Sequence, residues 1–194
     1  MDKISILKKY IEKNNGILLT SDLKKLDIHR QYIKTLLEEN YIERIEKGVY
    51  AKKGKILNDF FLIQQRYKTG IFSHNTALYF YNLTDRTPLR YDLTFKSSVR
   101  VNEELISSHY IDNSKYDIGI IKMELSDKTS IYIYELERTI IDILRDRNKI
   151  DLQIFNQALN GYVKRKDKNL IKLSKYARVF KVENVLKKYM EVLM

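Results

Sequence analysis

The chain has 194 residues, with 36 Lys and Arg against 25 Asp and Glu for a net charge of +11, no Cys, no Trp, a single Pro and 44% hydrophobic residues. That composition is globular, too apolar for a disordered chain and too poor in Gly and Pro for a fibre or long linkers. Without cysteine there are no disulfides, thiolate metal sites or thiol nucleophiles; with no long apolar run and no signal-like N-terminus, the expectation is a cytoplasmic protein with an anionic partner and no membrane association.

In chain order, Ile4, Leu7 and Ile11 recur at helical spacing, and Asn14-Asn15-Gly16 ends that helix. Thr20 or Ser21 can cap a second short helix that carries Leu23 and Leu26 on one face and stops at Asp27. A third is predicted over residues 28–39, with Ile33, Leu36 and Leu37 inward and Arg30, Gln31 and Lys34 outward. Residues 41–45 and 49–51 read as two strands around the turn Glu46-Lys47-Gly48. Three helices and a hairpin are the layout of a winged helix-turn-helix, so residues 1–54 are read as a DNA-binding domain.

Lys53-Gly54-Lys55 reads as a joint. A helix over 56–67 follows, Gly70 breaks it, and Ser73 can cap a helix reaching Leu83 before the Asp85-Arg86-Thr87-Pro88 turn. Strands are predicted at 91–95, 116–125 and 130–134, where β-branched and aromatic residues dominate. Helices are predicted at 137–147, 152–162, 170–180 and 182–193. The fold class is therefore α+β: the N-terminal winged helix-turn-helix and, over residues 55–194, a C-terminal α+β domain ending in several helices.

The charge is unevenly spread. Residues 1–54 carry 12 basic and 8 acidic side chains, a net of +4, and residues 164–188 carry ten basic against Asp167 and Glu183, a net of +8; the stretch between is close to neutral. In a helix-turn-helix the second helix lies in the major groove. Here His29, Arg30, Gln31, Lys34 and Thr35 hold that position, where Arg suits guanine, Gln adenine and Thr the thymine methyl. Ser21 and Lys24 on the preceding helix, with Arg44, Lys47, Lys52 and Lys53 around the hairpin, suit phosphate contacts. Tyr50 is read as core or wing packing, and Glu38, Glu39, Glu43 and Glu46 require a one-sided footprint.

The remainder carries few marks of an enzyme: three His, no Gly-rich phosphate loop and no His-Glu-x-x-His spacing. Asp92, Asp117 and Glu124 lie on or near strands and read as solvated acids. Ser73-His74-Asn75 opens a helix, either as a plain cap with an exposed His74 or as a functional cluster. Glu137 favours a helix N-terminus, and Arg138 with Asp142, four residues apart, would form a structural lock if buried. The basic tail residues Lys164, Arg165, Lys166, Lys168, Lys172, Lys175 and Arg178, interleaved with Tyr162, Tyr176 and Phe180, are either a solvated face or a second patch for DNA or RNA.

Taken together, the residues resemble the AbiEi antitoxin family of abortive-infection systems, the type IV toxin-antitoxin systems of phage defence. The resemblance rests on Ile42-Glu43-Arg44-Ile45-Glu46-Lys47-Gly48-Val49-Tyr50, Phe72-Ser73-His74-Asn75-Thr76-Ala77-Leu78, Asn82-Leu83-Thr84-Asp85-Arg86-Thr87-Pro88, Tyr91-Asp92-Leu93-Thr94-Phe95 and Tyr134-Glu135-Leu136-Glu137-Arg138-Thr139-Ile140-Ile141-Asp142. It continues in Ala158-Leu159-Asn160-Gly161-Tyr162 and Lys175-Tyr176-Ala177, and departs from the family at Ser97-Ser98-Val99-Arg100. It implies an autoregulating repressor whose winged helix binds inverted repeats in double-stranded operator DNA. It further implies that the second domain counteracts a nucleotidyltransferase-like toxin without a stable complex, and that the chain is a monomer in solution, cooperative on DNA. No catalysis, cofactor or metal is expected. The antitoxin-domain positions implied are Ser73, His74, Asp92, Glu137, Arg138, Thr139, Asp142 and Arg145. Two alternatives stand beside this reading: a C-terminal enzyme that reverses the toxin's modification, and a ligand-sensing domain of a plain repressor.

Overall fold

The structure, a computed structural model, describes residues 2–193. The chain divides into two compact units, the first running to Lys68 with Glu124–Ser130 added, the second comprising Thr69–Met123 and the residues from Ile131 onward.

The first unit contains α1 (Lys3–Lys13), β1 (Ile17–Leu19), α2 (Thr20–Lys25), α3 (Gln31–Glu38), β2 (Ile42–Glu46), β3 (Val49–Lys52) and α4 (Asp59–Arg66). The helices close on a core that includes Leu7, Ile11, Leu18, Leu23, Ile33 and Leu36. The hairpin β2–β3 forms as expected, and β1 adds to its other edge, giving an antiparallel sheet in the order β1-β3-β2. Three residues are too few to display an alternation, so β1 was not legible as a strand. Gly48 sits at the hairpin turn with φ +81°, a conformation that a β-carbon disfavours.

Several helix starts differ from the sequence expectation. α2 begins at Thr20 itself, and its cap is the Asp22 carboxylate, which accepts the Leu19 N–H at 3.1 Å; neither hydroxyl serves. α3 begins at Gln31, not at residue 28. Asp27 takes φ +50°, and the His29 ring Nδ1 accepts the Gln31 N–H at 3.3 Å, which leaves Arg30 as the residue just before the helix. Helix α4 starts where the Asn58 side chain accepts the Phe60 N–H at 2.9 Å, and it belongs to the first unit, beyond the joint read at residues 53–55. The turn at 124–130 is held there through Asp127, whose carboxylate accepts the Asn58 N–H at 3.2 Å and whose carbonyl accepts from the Asn15 amide.

The second unit comprises β4 (Ile71–Phe72), α5 (His74–Phe80), β5 (Tyr91–Lys96), β6 (Ile106–Ile111), α6 (Asn113–Tyr116), β7 (Ile120–Glu124), β8 (Ser130–Tyr134), α7 (Leu136–Arg145), α8 (Leu152–Lys164), α9 (Leu170–Val179) and α10 (Glu183–Leu193). Its mixed sheet has the order β6-β5-β4-β8-β7; β5 runs parallel to β6 and antiparallel to β4, and β4 parallel to β8. The strand predicted at 116–125 is instead the one-turn α6 followed by β7. The helix predicted to reach Leu83 stops at Phe80, with Asn82 in the left-handed region at φ +54°. Strands β4 and β6 were not foreseen, the first because it is two residues long, the second because Ser107-Ser108-His109 hides its pattern.

Helix α7 is buried along Leu136–Leu144, its polar residues included. Arg138 is fully buried; its Nε donates to Asp142 Oδ2 at 3.0 Å and its Nη1 to the carbonyls of Lys115 and Ile118 at 3.1 and 2.6 Å. Its guanidinium lies between the rings of Tyr134 and Phe180, 3.9 and 4.2 Å from their centroids, which accounts for a second terminal nitrogen with no hydrogen-bond partner. Glu137, expected to serve a helix N-terminus, is also buried and accepts the Asn169 N–H at 2.9 Å and the Tyr162 hydroxyl at 3.4 Å. Gly119 lies against this lock with φ +79°, and a β-carbon there would come within 2.9 Å of Arg138 Cβ. Gly119→Ala is therefore expected to cost at least about 1 kcal/mol through clash and backbone strain combined; a urea midpoint unchanged from wild type would show that Arg138 is free to shift.

Candidate nucleic-acid interface

Between α3 and the hairpin lies a cleft of about 620 Å³. Ile33, Leu37 and Tyr50 give it an apolar floor, while Arg30, Lys34, Arg44 and Lys47 supply four cations around it. The α3 side is positioned by helical spacing: Ile33 and Leu36 turn into the core, so Lys34 is left exposed, and Arg30 precedes the first turn on the same rim. The opposite side is positioned by the hairpin, where Gly48 allows Lys47 and Arg44 to flank a tight turn.

Nearby acids are paired away from this cleft. Glu46 accepts from Arg66 at 2.6 Å, Glu39 from Lys8 at 2.6 Å, Glu12 from Lys52 at 2.6 Å, and Glu43 accepts the Gly54 N–H at 2.8 Å. Among the described residues only Glu38, 3.7 Å from Lys34 on an exposed helical face, pairs with one of the four cations. A concave, single-signed surface beside an exposed helix attracts a polyanion and raises its local concentration.

The structure thus brings together Arg30, Lys34, Arg44 and Lys47 of the residues singled out in the sequence, with Tyr50 joining them. His29, Gln31, Ser21 and Lys24 are exposed but outside the cleft, and Thr35 is half-buried. Lys52 and Lys53 do not join: they line a separate hollow with Glu12, Asn15 and Lys55, where Lys52 is bound to Glu12 and Lys53 donates to Asn40 at 3.2 Å.

The basic tail is largely committed to the second unit's own architecture. Arg165 makes two bonds to Asp167, at 2.8 and 2.7 Å, and a third to the Tyr81 carbonyl at 2.7 Å; Lys168 donates to the Arg165 carbonyl at 3.0 Å. Lys172 donates to Glu135 at 2.7 Å, and Arg178 lies 3.4 Å from Glu183. Lys164, Lys166 and Lys175 remain exposed. Of the tail aromatics, Tyr162 and Phe180 are buried in the core with Leu173, Ala177 and Leu186, and Tyr176 packs partly buried against it. Lys172→Gln is expected to lower thermal stability by no more than about 1 kcal/mol, as for a partly exposed ion pair, and to leave DNA affinity unchanged; an affinity loss at equal stability would assign this lysine to a DNA contact.

The antitoxin-domain candidates separate into two groups. Glu137, Arg138, Thr139, Asp142 and Arg145 belong to the α7 lock, with Arg145 Nη1 2.8 Å from Asp142 Oδ1 and the Thr139 hydroxyl donating to the Tyr134 carbonyl at 3.2 Å. Ser73, His74 and Asp92 meet elsewhere, in a polar network that also includes Thr94, His109 and Asp146. Ser73 occupies the cap position of α5, yet its hydroxyl makes no cap bond; it accepts from Thr94 Oγ1 at 2.8 Å and lies 3.0 Å from His74 Nδ1. His74 is buried rather than exposed, with φ +44°, and its Nε2 is 3.0 Å from Asp146 Oδ2. Asp92, read as a solvated strand acid, is 5% exposed, and its Oδ1 is 2.8 Å from His109 Nε2. The two imidazoles stack, centroids 3.5 Å apart and planes within 9°. The hydrogen bond from His74 holds the Asp146 carboxyl down to about 2, while burial lowers His109 against the opposing pull of Asp92. Sequence reasoning missed His109 because its strand was not recognised, and Asp146 because nothing local marks it.

Residues 5–51 match the family model described as "Transcriptional regulator, AbiEi antitoxin", so the resemblance read from the motifs stands over the segment that builds α1 through most of the hairpin. No curated protein matches the chain. Among solved structures the fold is similar to that in "Crystal structure of RV2827C protein from Mycobacterium tuberculosis", at a TM-score of 0.54 and 13% identity, over 90% of this chain and 70% of that one. The likeness is one of fold. Among the described residues no helix is long and apolar enough to cross a membrane.

Proposed function

Proceeding from an N-terminal segment that belongs with the AbiEi antitoxin regulators, we propose that the protein is a sequence-specific repressor of its own operon and the antitoxin of a type IV pair. The observation that carries the DNA-binding part is the cleft between α3 and the hairpin, with Arg30, Lys34, Arg44 and Lys47 around it and the neighbouring acids tied up elsewhere. In this reading α3 enters the major groove, Arg30 and Gln31 face base edges at its start, and Arg44 and Lys47 on the hairpin grip phosphates. Lys24 and Ser21 contribute backbone contacts from α2. The target is double-stranded operator DNA with inverted repeats, bound cooperatively by a chain that is monomeric in solution.

The second unit counteracts a nucleotidyltransferase-like toxin without forming a lasting complex with it. Its α7 lock holds the scaffold rigid, and the Ser73, His74 and Asp92 network is the chemistry available to it. A footprint of the purified chain on the DNA upstream of its own gene tests the first half: protected repeats spaced by about one helical turn are expected, and uniform, unspaced protection would contradict it. For the second half, the expected result is rescue of toxin-expressing cells by the chain with Arg30, Arg44 and Lys47 replaced by alanine, which separates antitoxin action from repression.

A further inference from the structure

The stacked histidine pair groups several titratable side chains of the second unit, and its hydrogen bonding follows a pattern found around metal ligands. A metal-bound histidine uses one ring nitrogen on the ion, while the other is fixed by a carboxylate, hydroxyl or carbonyl. Here each imidazole has such a partner. Ser73 Oγ holds His74 Nδ1 at 3.0 Å, so Nε2 is the remaining nitrogen, and Asp92 holds His109 Nε2 at 2.8 Å, so Nδ1 is the remaining one. The Asp146 carboxylate completes the group: one ligand atom from each of His74, His109 and Asp146 lies within 4.8 Å of the other two. We propose that His74, His109 and Asp146 form a three-ligand site for a divalent transition-metal ion of the zinc class, with the fourth position open.

The donor set fits that class. Two imidazoles and one carboxylate are ligands for Zn²⁺ and its neighbours, whereas Mg²⁺ and Ca²⁺ prefer oxygen alone. The 3.0 Å between His74 Nε2 and Asp146 Oδ2 would have to widen by only about 0.3 Å to reach the edge, about 3.3–3.4 Å, of a tetrahedron built from bonds of about 2.0–2.1 Å. The ion would take the place of the proton these two atoms share. That proton passes to His74 Nδ1, which then donates to Ser73. His109 needs no such change, because its bond to Asp92 already leaves Nδ1 with an open lone pair.

One movement is required. Rings within 9° of parallel point their lone pairs in parallel directions, so a shared ion requires the stack to splay. His109 has the room, with a quarter of its side chain exposed, whereas His74 is held by its buried neighbours. The ligands come from the start of α5, from β6 and from the residue after α7, three separated pieces of chain. That is why no short ligand motif marks the site in the sequence.

The test uses the full-length protein, stripped with a chelator and titrated with Zn²⁺ by calorimetry and with Co²⁺ by visible absorption. The expected result is one ion per chain, the intense visible bands of low-coordinate Co²⁺, and an affinity lowered at least tenfold in His109→Gln and in Asp146→Asn. His29→Gln, which alters the remaining histidine, should bind as wild type does. The His109→Gln and Asp146→Asn proteins are checked for folding by circular dichroism. Should either fail to fold, imidazole proton shifts of the wild-type protein on loading supply the second measurement, because splaying removes the mutual ring-current shielding of His74 and His109. Absence of stoichiometric binding, equal affinity in His109→Gln and wild type, preference for Mg²⁺ over Zn²⁺, or imidazole shifts unchanged by the ion would each overturn the assignment.

Discussion

Arg138→Ala is expected to destabilise the protein by about 3–5 kcal/mol, a large part of the roughly 5–15 kcal/mol that holds a typical domain together. The side chain is fully buried, and its removal leaves Asp142, itself 1% exposed, with Arg145 as its remaining cationic partner. It also takes the Arg138 donor away from the carbonyls of Lys115 and Ile118 and opens space between Tyr134 and Phe180. Each loss is a recognised source of large effects: a buried carboxylate left with a single, partly exposed partner, lost buried hydrogen bonds and a cavity. Arg145→Ala is the internal control. That side chain meets the same carboxylate at 2.8 Å but is 26% exposed, so water replaces it and the loss is expected to stay near 1 kcal/mol. Urea unfolding of the two variants measures the contrast; equal midpoints would mean that Arg138 is not the centre of the lock.

Arg30→Ala is expected to weaken operator binding by about 1–3 kcal/mol, roughly five- to 150-fold, and to relax sequence preference at one position of each half-site. Its place just before α3, on the rim of the cleft, is where helix-turn-helix proteins put base-reading side chains. A base contact differs from a phosphate contact in what is lost. Removing the first lowers affinity for the operator more than for random DNA, whereas removing the second lowers both alike. Competition of wild type and Arg30→Ala between operator and scrambled duplex separates these outcomes, and a parallel loss on both would assign Arg30 to the backbone instead.

What was legible in the sequence followed the range of the interactions. The helices and the hairpin were readable because apolar spacing and a turn glycine are local signals, as with Leu7 and Ile11 or with Gly48. Boundaries slipped where a side chain from a neighbouring residue made the cap, as Asp22 and Asn58 do, or where a non-glycine residue such as Asp27 took a left-handed conformation. Short strands were invisible because pairing, not pattern, makes them: β1 exists only beside β3, and β4 only between β5 and β8. The same distinction divides the candidate sites. Arg30, Lys34, Arg44 and Lys47 were found because exposed charge on a recognised motif is local information. The tail charge was visible, but its partners Tyr81, Glu135 and Asp167 were not separable from background until the chain was folded. His74 was noticed without its environment, and His109 and Asp146 were missed, because their association depends on tertiary packing.

The central claim is that the cleft between α3 and the hairpin is where the protein holds duplex DNA. It is tested most directly by the salt dependence of operator binding for wild type and for Arg44→Ala/Lys47→Ala, both shown to be folded. If the two hairpin cations each neutralise a phosphate, the slope of log K against log salt falls in magnitude by about 2, since each contact contributes roughly 0.9. Identical slopes for the two proteins would contradict the account and move the interface to another face of the molecule.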